Sequence, residues 1–450
     1  MMDNESKIIK ELHDAFQHGI LDRWYPLTVD KECGGFFTNI SCNWNIMPLQ
    51  EKMIVSQARH VWTLSKTSEF LGGSEEFDQN AFHGFKYLTQ KMWDSTHGGF
   101  YQIRSREGNV TDVKGWRDEK RAYGNAFALY GLAALFGHTQ NPDALEWAKK
   151  TFHWIENRAH DDRNKGYFQF LSPESVPFDR KSAYKTVAFD SNELGFKDQN
   201  SSIHLLEAYT ELYHVWKDDL LRARLLELLE LIRDIMVADQ GYLQLFFEND
   251  WKPVSFRHAS DAERKTNFGL DHISFGHDYE TAFLMLEASH ALGVQNDVRT
   301  LTIARKMMDH ALLRGWDPVS GGFYDGGYYD KNGAFSIVLD TKNWWAQAEG
   351  LNALLLFSKI FPEDKRYAAH FLKQWEYIKT SIIDPVNGDW FEGGIDKEPQ
   401  FRSGQKSHMW KCTYHTSRAL MNCIALLRED EYSEINAVAE HWRKTAESMH

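Results

Sequence analysis

The chain has 450 residues and a formal net charge of −13, and 42% of its residues are apolar. No dense basic run occurs, which argues against a nucleic-acid-binding surface, because phosphate neutralisation needs concentrated positive charge. The polar N-terminal stretch and the lack of any apolar segment of about 18 residues predict a soluble, cytoplasmic protein without a membrane anchor.

One short element, a glycine followed closely by aromatic or apolar residues, recurs six times. The glycines are Gly35, Gly99, Gly166, Gly241, Gly322 and Gly388, at steps of 64, 67, 75, 81 and 66 residues. Glycine adopts tight-turn backbone angles at little cost, and the alternating aromatics after it suit a short hairpin strand. Internal repetition of this kind indicates that one structural unit is repeated around the fold.

An apolar helix is predicted after each glycine element, and its first turns carry unusual polar or aromatic residues. In chain order these are Arg59, Tyr123, Asn200 with His204, His277 with Glu280, Trp345 with Glu349, and His415. Amphipathic helices are predicted between them, with apolar residues at helical spacing. Six helix pairs joined by short hairpins predict an all-α fold, a closed double ring of helices. No linker composition interrupts the pattern, so residues 1–450 are predicted to form a single domain.

The third and fourth units carry about a dozen additional, mostly polar residues before their inner helices, in 172–199 and 249–273. In a closed ring the N-terminal ends of the inner helices would gather at one mouth. Long polar loops there would act as lids or pocket walls, with plain surface excursions as the alternative.

Three histidines on three helices allow several chemistries. A metal site is not favoured, because His277 and Glu280 form an HxxE pair without an HExxH or CxxC motif. Glycoside hydrolysis needs two facing carboxylates, which Glu280 and Glu349 could supply. A serine hydrolase would need a GxSxG elbow, which is absent. A non-enzymatic binding protein on the same scaffold stays open.

A histidine pair also suits removal of a carbon-bound proton from one face of a sugar and its return on the other. The C2 proton is acidic only when the ring opens and C1 becomes an aldehyde, and histidine titrates near neutrality. Arg59 would stabilise the enediolate, and Glu280 would hold His277 in one tautomer. Return of the proton to C2 gives epimerisation, and return to C1 gives aldose–ketose isomerisation.

Six stretches resemble the N-acylglucosamine 2-epimerase (AGE) family, which includes cellobiose 2-epimerases and mannose-converting enzymes. They are QARHVW, AYGNAFALY, DQNSSIHLLEAYTEL, FGHDYE, WWAQAEGL and WKCTYHTSR, in family order over nearly the whole chain. The resemblance implies an (α/α)6 barrel and C2 epimerisation through a cis-enediolate, without a cofactor or a metal.

The resemblance also implies roles for ten residues, each matched by its motif. His277 and His415 would be the C2 acid–base groups, and His204 would assist ring opening. Arg59 would bind the enediolate oxygens. The remaining assignments are Glu280 and Glu349 as orienting carboxylates, Trp345 and Trp410 as walls against the sugar, and Tyr123 and Asn200 as polar contacts.

The expected substrate is a free monosaccharide of the glucose and mannose configuration, because a lid over the mouth would close off room for a second sugar. The alternatives are a disaccharide, as in cellobiose or mannobiose 2-epimerases, and a mannose–fructose isomerase. The sequence predicts neither a nucleic-acid nor a membrane partner, and it leaves a monomer or a homodimer open.

Overall fold

The structure is a computed structural model that describes residues 2–111, 118–180, 193–430 and 433–449. Its α-helices are α1 (Met2–Asp14), α2 (Asp22–Leu27), α3 (Ile54–Phe70), α4 (Glu75–Tyr87), α5 (Ala122–Thr139), α6 (Pro142–Arg158), α7 (Gln199–Val215), α8 (Asp219–Leu231), α9 (Asp261–Asp271), α10 (Phe275–Ala291), α11 (Val298–Gly315), α12 (Trp344–Ile360), α13 (Lys365–Tyr377), α14 (Tyr414–Arg428) and α15 (Glu434–Glu447).

Six of these helices form a closed inner ring. Helices α3, α5, α7, α10, α12 and α14 each pack against the next, and α14 packs against α3. They are buried nearly all round, because their apolar residues are not confined to one stripe; α5, for example, buries Ala122 through Leu135 without interruption. A helix that is apolar on all sides is stable only when other helices surround it.

An outer ring covers the inner one. Helices α4, α6, α8, α11 and α13 each pack against the inner helix that precedes them in the chain. The sixth outer position is filled by α1, which packs against α14 and so closes the outer ring with the N-terminal end of the chain. The predicted (α/α)6 barrel is therefore confirmed. The single-domain assignment stays a prediction, and closure by α1 supports it.

Each repeated glycine has a positive φ, between 66° at Gly35 and 97° at Gly241, as the tight turn requires. The residues flanking each turn meet in one isolated antiparallel bridge rather than in a hairpin of the expected kind. The bridges are Val29–Phe36, Trp93–Phe100, His160–Tyr167, Val237–Leu243, Trp316–Phe323 and Ile383–Trp390. Each glycine turn is therefore closed by a single bridge, and the strand pairs with more than one bridge lie outside these turns.

Most of the short strands pair between neighbouring units. The strands are β1 (Lys52–Met53), β2 (Ile103–Arg104), β3 (Lys120–Arg121), β4 (Phe170–Leu171), β5 (Lys197–Asp198), β6 (Phe246–Phe247), β7 (Ile273–Ser274), β8 (Gly326–Tyr329) and β9 (Phe335–Leu339). Only β8 and β9 among the described strands form a hairpin within one unit. In the antiparallel pairs β1–β2, β3–β4, β5–β6 and β7–β8, a strand leading into one inner helix binds the segment after the next glycine turn. This pairing fixes where each inner helix begins.

A buried ion pair ties the turn to the start of the inner helix in five units. The pairs are Lys52–Asp30, Lys120–Asp94, Lys197–Asp161, Lys342–Asp317 and Lys406–Asp384, with N–O distances of 2.6 to 2.8 Å. Burial raises the pKa of Asp317, but Lys342 and the hydrogen bonds from the Val319 and Ser320 backbone N–H groups together outweigh it and lower that pKa to about 2. In the fourth unit Ala238 and Ile273 occupy the corresponding positions. Both charges are absent together, so neither is left buried without its partner.

The structure describes the two long polar loops to different extents. Much of the third-unit loop, 181–192, lies outside the described residues. The fourth-unit loop forms α9, whose last residue, Asp271, accepts hydrogen bonds from the Phe256 backbone N–H (2.6 Å) and the Tyr328 hydroxyl (2.9 Å). Among the described residues no helix combines the length and apolar character that crossing a membrane requires.

Candidate active site

The N-terminal ends of the inner helices surround a cavity of about 330 Å³. It is lined by Arg59, Tyr123, Asn200, His204, His277, Glu280, Asn343, Trp344, Trp345, Glu392, His408, Trp410 and His415. Every residue predicted for the site is in that set except Glu349, which is fully buried behind it. The structure thus brings the predicted residues of six helices into one place.

His415 is supported by a carboxyl group. Its Nδ1 lies 2.6 Å from Glu349 Oε1, so Nε2 is the ring nitrogen left to exchange a proton with a ligand. Burial lowers the pKa of His415 well below its ordinary value, and the nearby Arg59 and Arg418 guanidinium groups lower it further. The imidazole is therefore neutral at neutral pH and can accept a proton.

His277 is supported by a hydroxyl group. Its Nδ1 lies 2.7 Å from Ser274 Oγ, in the residue that precedes α10. Burial lowers the pKa of His277 to about 3. The expectation that Glu280 holds this ring is wrong, because Glu280 extends one turn deeper along α10 and binds Arg418 instead. Sharing one helix face did not bring the two side chains into contact.

Trp345 lies beside both rings. Its ring centroid is 4.8 Å from that of His277 and 5.7 Å from that of His415. The two imidazoles therefore face a common space and not separate compartments. Their roles as acid and base remain predictions, and this placement is what those roles require.

Arg418 is a site residue for which the sequence suggested no role. Its Nη2 lies 2.6 Å from both Glu280 Oε1 and Glu349 Oε1, and its Nη1 donates to Glu207. Burial raises the pKa of Glu349 above its ordinary value, even though Arg418 lies beside it. One guanidinium thus binds a group of three buried carboxyl groups beneath the cavity.

His204 lies on the opposite wall and has its own carboxylate partner. Its Nδ1 is 2.8 Å from Glu207 Oε2 on the same helix. Burial raises the pKa of Glu207, but Arg418 and the hydrogen bond from His204 outweigh it and lower that pKa to about 2. Glu207 is therefore ionised, and His204 donates from Nδ1 and presents Nε2 as an acceptor.

Arg59 places a positive charge in the cavity wall. Its Nη2 donates to the Tyr123 hydroxyl at 3.2 Å, and its guanidinium carbon lies 4.2 Å from the Phe127 ring centroid and 4.8 Å from that of Tyr414. Its Nε is buried and has no hydrogen-bond partner among the described residues. A cation held mainly by aromatic faces keeps donors free for an anionic ligand.

The rim of the cavity contains both predicted and unexpected residues. Trp410 lies with its ring centroid 6.3 Å from that of Tyr123, and Asn200 Oδ1 has no partner in the described part of the chain. His408 Nε2 lies 3.1 Å from Glu392 Oε1, and this pair, like Asn343 and Trp344, was not predicted. These rim groups are polar and are placed to contact hydroxyl groups.

A sequence signal for two of the missed residues was present. His204 and Glu207 repeat the HxxE spacing of His277 and Glu280, and Arg418 follows His415 at the same interval. Residues three apart share a helix face, so each histidine has a charged residue one turn deeper. Ser274, in contrast, stands before its helix with no pattern to mark it.

One group of potential metal ligands occurs among the described residues. Glu280, Glu349 and His415 each offer one atom, all within 4.8 Å of one another. The Nη2 of Arg418 already lies against both carboxyl groups of this set. Arg418 therefore occupies the position at which a metal ion would bind these carboxyl groups. The absence of a metal remains a prediction.

The family model described as N-acylglucosamine 2-epimerase (GlcNAc 2-epimerase) matches residues 35–419. A cellobiose 2-epimerase from Bacteroides fragilis is 32% identical, over 93% of this chain and 98% of that protein. A D-mannose isomerase from Thermobifida fusca is 24% identical, over 75% of each chain. The solved structure of cellobiose 2-epimerase from Spirochaeta thermophila superimposes with a TM-score of 0.77 at 26% identity, over 95% of this chain and 98% of that one.

The match covers most of the chain and includes the inner helices that line the cavity. The fold agrees with that of the cellobiose 2-epimerase from Spirochaeta thermophila. The chain belongs to the N-acylglucosamine 2-epimerase family, and it is an enzyme of the epimerase and isomerase class.

Proposed function

We propose that the protein interconverts the glucose and mannose configurations at C2 of a reducing sugar. The observation that carries this proposal is that two imidazoles, the half-buried His277 and the buried His415, both lie beside Trp345 in one cavity. In each ring Nδ1 is bound to a protein group, so Nε2 is the nitrogen that can exchange a proton with a bound ligand.

Ring opening comes first, because the C2 proton becomes acidic only beside an aldehyde. His204, with Nδ1 bound to ionised Glu207, accepts the proton of the O1 hydroxyl at Nε2. The C1–O5 bond breaks as His204 passes the proton that it took from O1 to O5. The sugar is then an open-chain aldehyde with the same number of protons.

Proton transfer at C2 follows. One imidazole, entering neutral, takes the C2 proton, and the negative charge that develops on O1 and O2 faces Arg59. The other imidazole is also neutral in the empty site, but the negative charge of the enediolate raises its pKa, so it takes up a proton from water and returns it to the opposite face of C2. The first imidazole then releases the proton it removed to water. The two histidines exchange roles in the reverse reaction, so a single pair serves both directions.

The size of the substrate is the finer part of the proposal. The expectation of a free monosaccharide rested on a lid over the mouth. None of the described residues between 248 and 272, which include α9, lines the cavity, so that reason does not apply to this loop. The similarity to cellobiose 2-epimerases supports the reducing end of a disaccharide as a second candidate.

An isomerase that converts mannose to fructose is a further candidate, supported by the similarity to D-mannose isomerases. The same enediolate leads to it when the proton returns to C1 instead of C2. C2 is favoured here because two histidines line the same cavity, and transfer on both faces of one carbon uses two acid–base groups.

The test is incubation with mannose, glucose, N-acetylglucosamine or cellobiose in heavy water, followed by NMR. Deuterium at C2 together with the 2-epimer supports the proposal, and fructose or hydrolysis products would contradict it. His277→Asn and His415→Asn should each lower turnover by about 10²- to 10⁴-fold, the usual contribution of a positioned acid or base. His370→Asn on the outer helix α13 is the matched control and should leave turnover unchanged.

A further inference from the structure

A second cavity, of about 410 Å³, lies inside the barrel at the C-terminal ends of the inner helices. Later turns of α3, α7, α10 and α14 line it, and α15 contributes Glu434 and Ile435. Helix α15 packs across α10, α12 and α14, and Trp442 on it donates a hydrogen bond to the Leu286 carbonyl at 3.0 Å. We call this space the far-end cavity.

A charged layer separates the far-end cavity from the candidate active site. Glu207 and Arg418, one helical turn deeper than His204 and His415, line the far-end cavity from the other side. Arg418 also holds Glu280, which lines the active site. The two spaces therefore share one buried network without sharing the reacting groups.

Carboxyl groups outnumber cations around the far-end cavity. The lining includes Glu69, Glu207, Glu211, Glu287, Asp430 and Glu434 against Lys66, His214 and Arg418. The cations are already engaged: Lys66 Nζ lies 2.7 Å from Glu211 Oε1, and His214 Nε2 lies 2.5 Å from Glu434 Oε1. An excess of carboxyl groups in a partly closed space attracts a cationic ligand.

Two side chains of this lining are available to a ligand. Among the described residues, neither the Glu287 carboxyl group on α10 nor the Tyr130 hydroxyl on α5 has a hydrogen-bond or ion-pair partner. Tyr130 is 6% exposed, and it faces the cavity that it lines. A buried hydroxyl such as that of Tyr130 is usually satisfied, so its position in one cavity with the half-buried Glu287 marks a place where a ligand supplies the missing bond.

The wall beside these groups is aromatic. Trp62 stacks on Tyr130 with ring centroids 5.2 Å apart and an interplanar angle of 16°, and Phe70 and Met421 complete the apolar side. An ammonium group beside aromatic faces gains cation–π attraction, and an alkyl chain buries apolar surface against them.

We propose that the far-end cavity is a binding site for a small aliphatic amine, with the ammonium group on Glu287 and the Tyr130 hydroxyl and the alkyl chain against Trp62. A bare metal ion fits less well, because it needs several free oxygen ligands and Glu211 and Glu434 are already paired with cations. The volume also exceeds what one ion would fill.

Binding should release a proton. Burial and the neighbouring Glu434 raise the pKa of Glu287 well above its ordinary value, which favours the protonated form of this carboxyl group in the empty site. An ammonium group arriving beside it favours the ionised form, and the proton leaves. Affinity should therefore rise with pH between neutrality and the pKa of Glu287, and the binding heat should depend on the buffer.

The experiment is isothermal titration of the full-length protein with 1,4-diaminobutane at two pH values and in two buffers. Wild type should bind one molecule per chain with proton release. Glu287→Gln, which keeps the shape of the side chain, should bind at least tenfold more weakly. Glu363→Gln removes the same charge from an exposed position and should bind as wild type does. Thermal melts of each variant check folding.

Tyr130→Phe gives a second variant that removes only the hydroxyl, and it should weaken binding by a smaller factor. No binding by wild type would overturn the proposal, and so would equal affinities of Glu287→Gln and Glu363→Gln, which would place the amine elsewhere on the acidic surface. Epimerase activity is not used as a readout, so failure here leaves the proposed function untouched.

Discussion

The two histidines of the candidate active site occupy one cavity but are held in different ways. His415 rests on Glu349, which in turn rests on Arg418, so its support is a charged network that continues through the barrel. His277 rests on the neutral Ser274 hydroxyl just before its helix. Two groups that do mirror-image chemistry on one carbon therefore need not have matching environments.

The difference has a physical cause. Glu280 stands on the same helix as His277, yet it serves the Arg418 network on the His415 side. Burying a carboxylate without a cation costs free energy, so the buried carboxyl groups lie where they can bind the Arg418 guanidinium. On the His277 side no carboxylate of this network contacts the ring, and burial, helped by His204 and His272, lowers the pKa of His277.

The most disruptive change to this contrast is Arg418→Met. It would leave Glu207, Glu280 and Glu349 without their cation, so we expect the free energy of unfolding to fall by about 3–5 kcal/mol. Chemical denaturation measures this. Arg366→Met, which breaks an exposed ion pair, is the control and should cost less than about 1 kcal/mol. Equal losses in the two variants would contradict a central role for Arg418.

Glu349→Gln tests the support of His415 alone. The amide keeps the shape but cannot take up or release the proton of the pair, so we expect turnover to fall by about 100-fold or more, with substrate affinity less affected. Steady-state kinetics on the preferred sugar give both values. Glu376→Gln on the outer surface is the matched control, and an unchanged turnover in Glu349→Gln would remove the carboxyl group from the mechanism.

The pH dependence tests what both histidines share. Because burial lowers the pKa of His277 to about 3, its basic form persists well below the ordinary histidine value of about 6.5. We expect kcat/KM to stay level as pH falls through that ordinary value. Stability should instead decrease between about pH 6.5 and 3, because the unfolded chain binds protons there that the folded chain excludes.

The matched measurement is the melting temperature of His277→Asn over the same pH range, which should depend on pH less steeply than that of wild type. An acid limb of kcat/KM near pH 6.5, well above the pKa of about 3 for His277, would show that at least one catalytic histidine is exposed to solvent.

Ser274→Ala should have the smallest effect. One neutral hydrogen bond contributes about 0.5–1.5 kcal/mol, so turnover should fall by roughly 2- to 10-fold. The comparison with Glu349→Gln is the direct test of the contrast between the two sides. Equal losses of turnover in the two variants would mean that the Ser274 hydroxyl and the Glu349 carboxyl group contribute equally to catalysis.

Much of the fold was predictable because its signals are local. Each glycine turn and each apolar helix can be found within about 40 residues of sequence, and six of them predict a ring. The prediction placed a hairpin within each unit, whereas strands of neighbouring units pair with each other, as Lys52–Met53 does with Ile103–Arg104. The replacement of the buried Lys–Asp pair by Ala238 and Ile273 in the fourth unit could not be predicted either. It follows from aligning the six units by their bridges at the glycine turns.

The sequence alone determined the inner-helix residues that reach the cavity, since helix period and motif order specify which side chains start each helix. Only the tertiary structure decided which carboxyl group serves which histidine, where Arg418 lies, and that a second cavity exists beneath it. Such partnerships depend on side chains from three or four helices meeting in space, and no spacing within one helix encodes them.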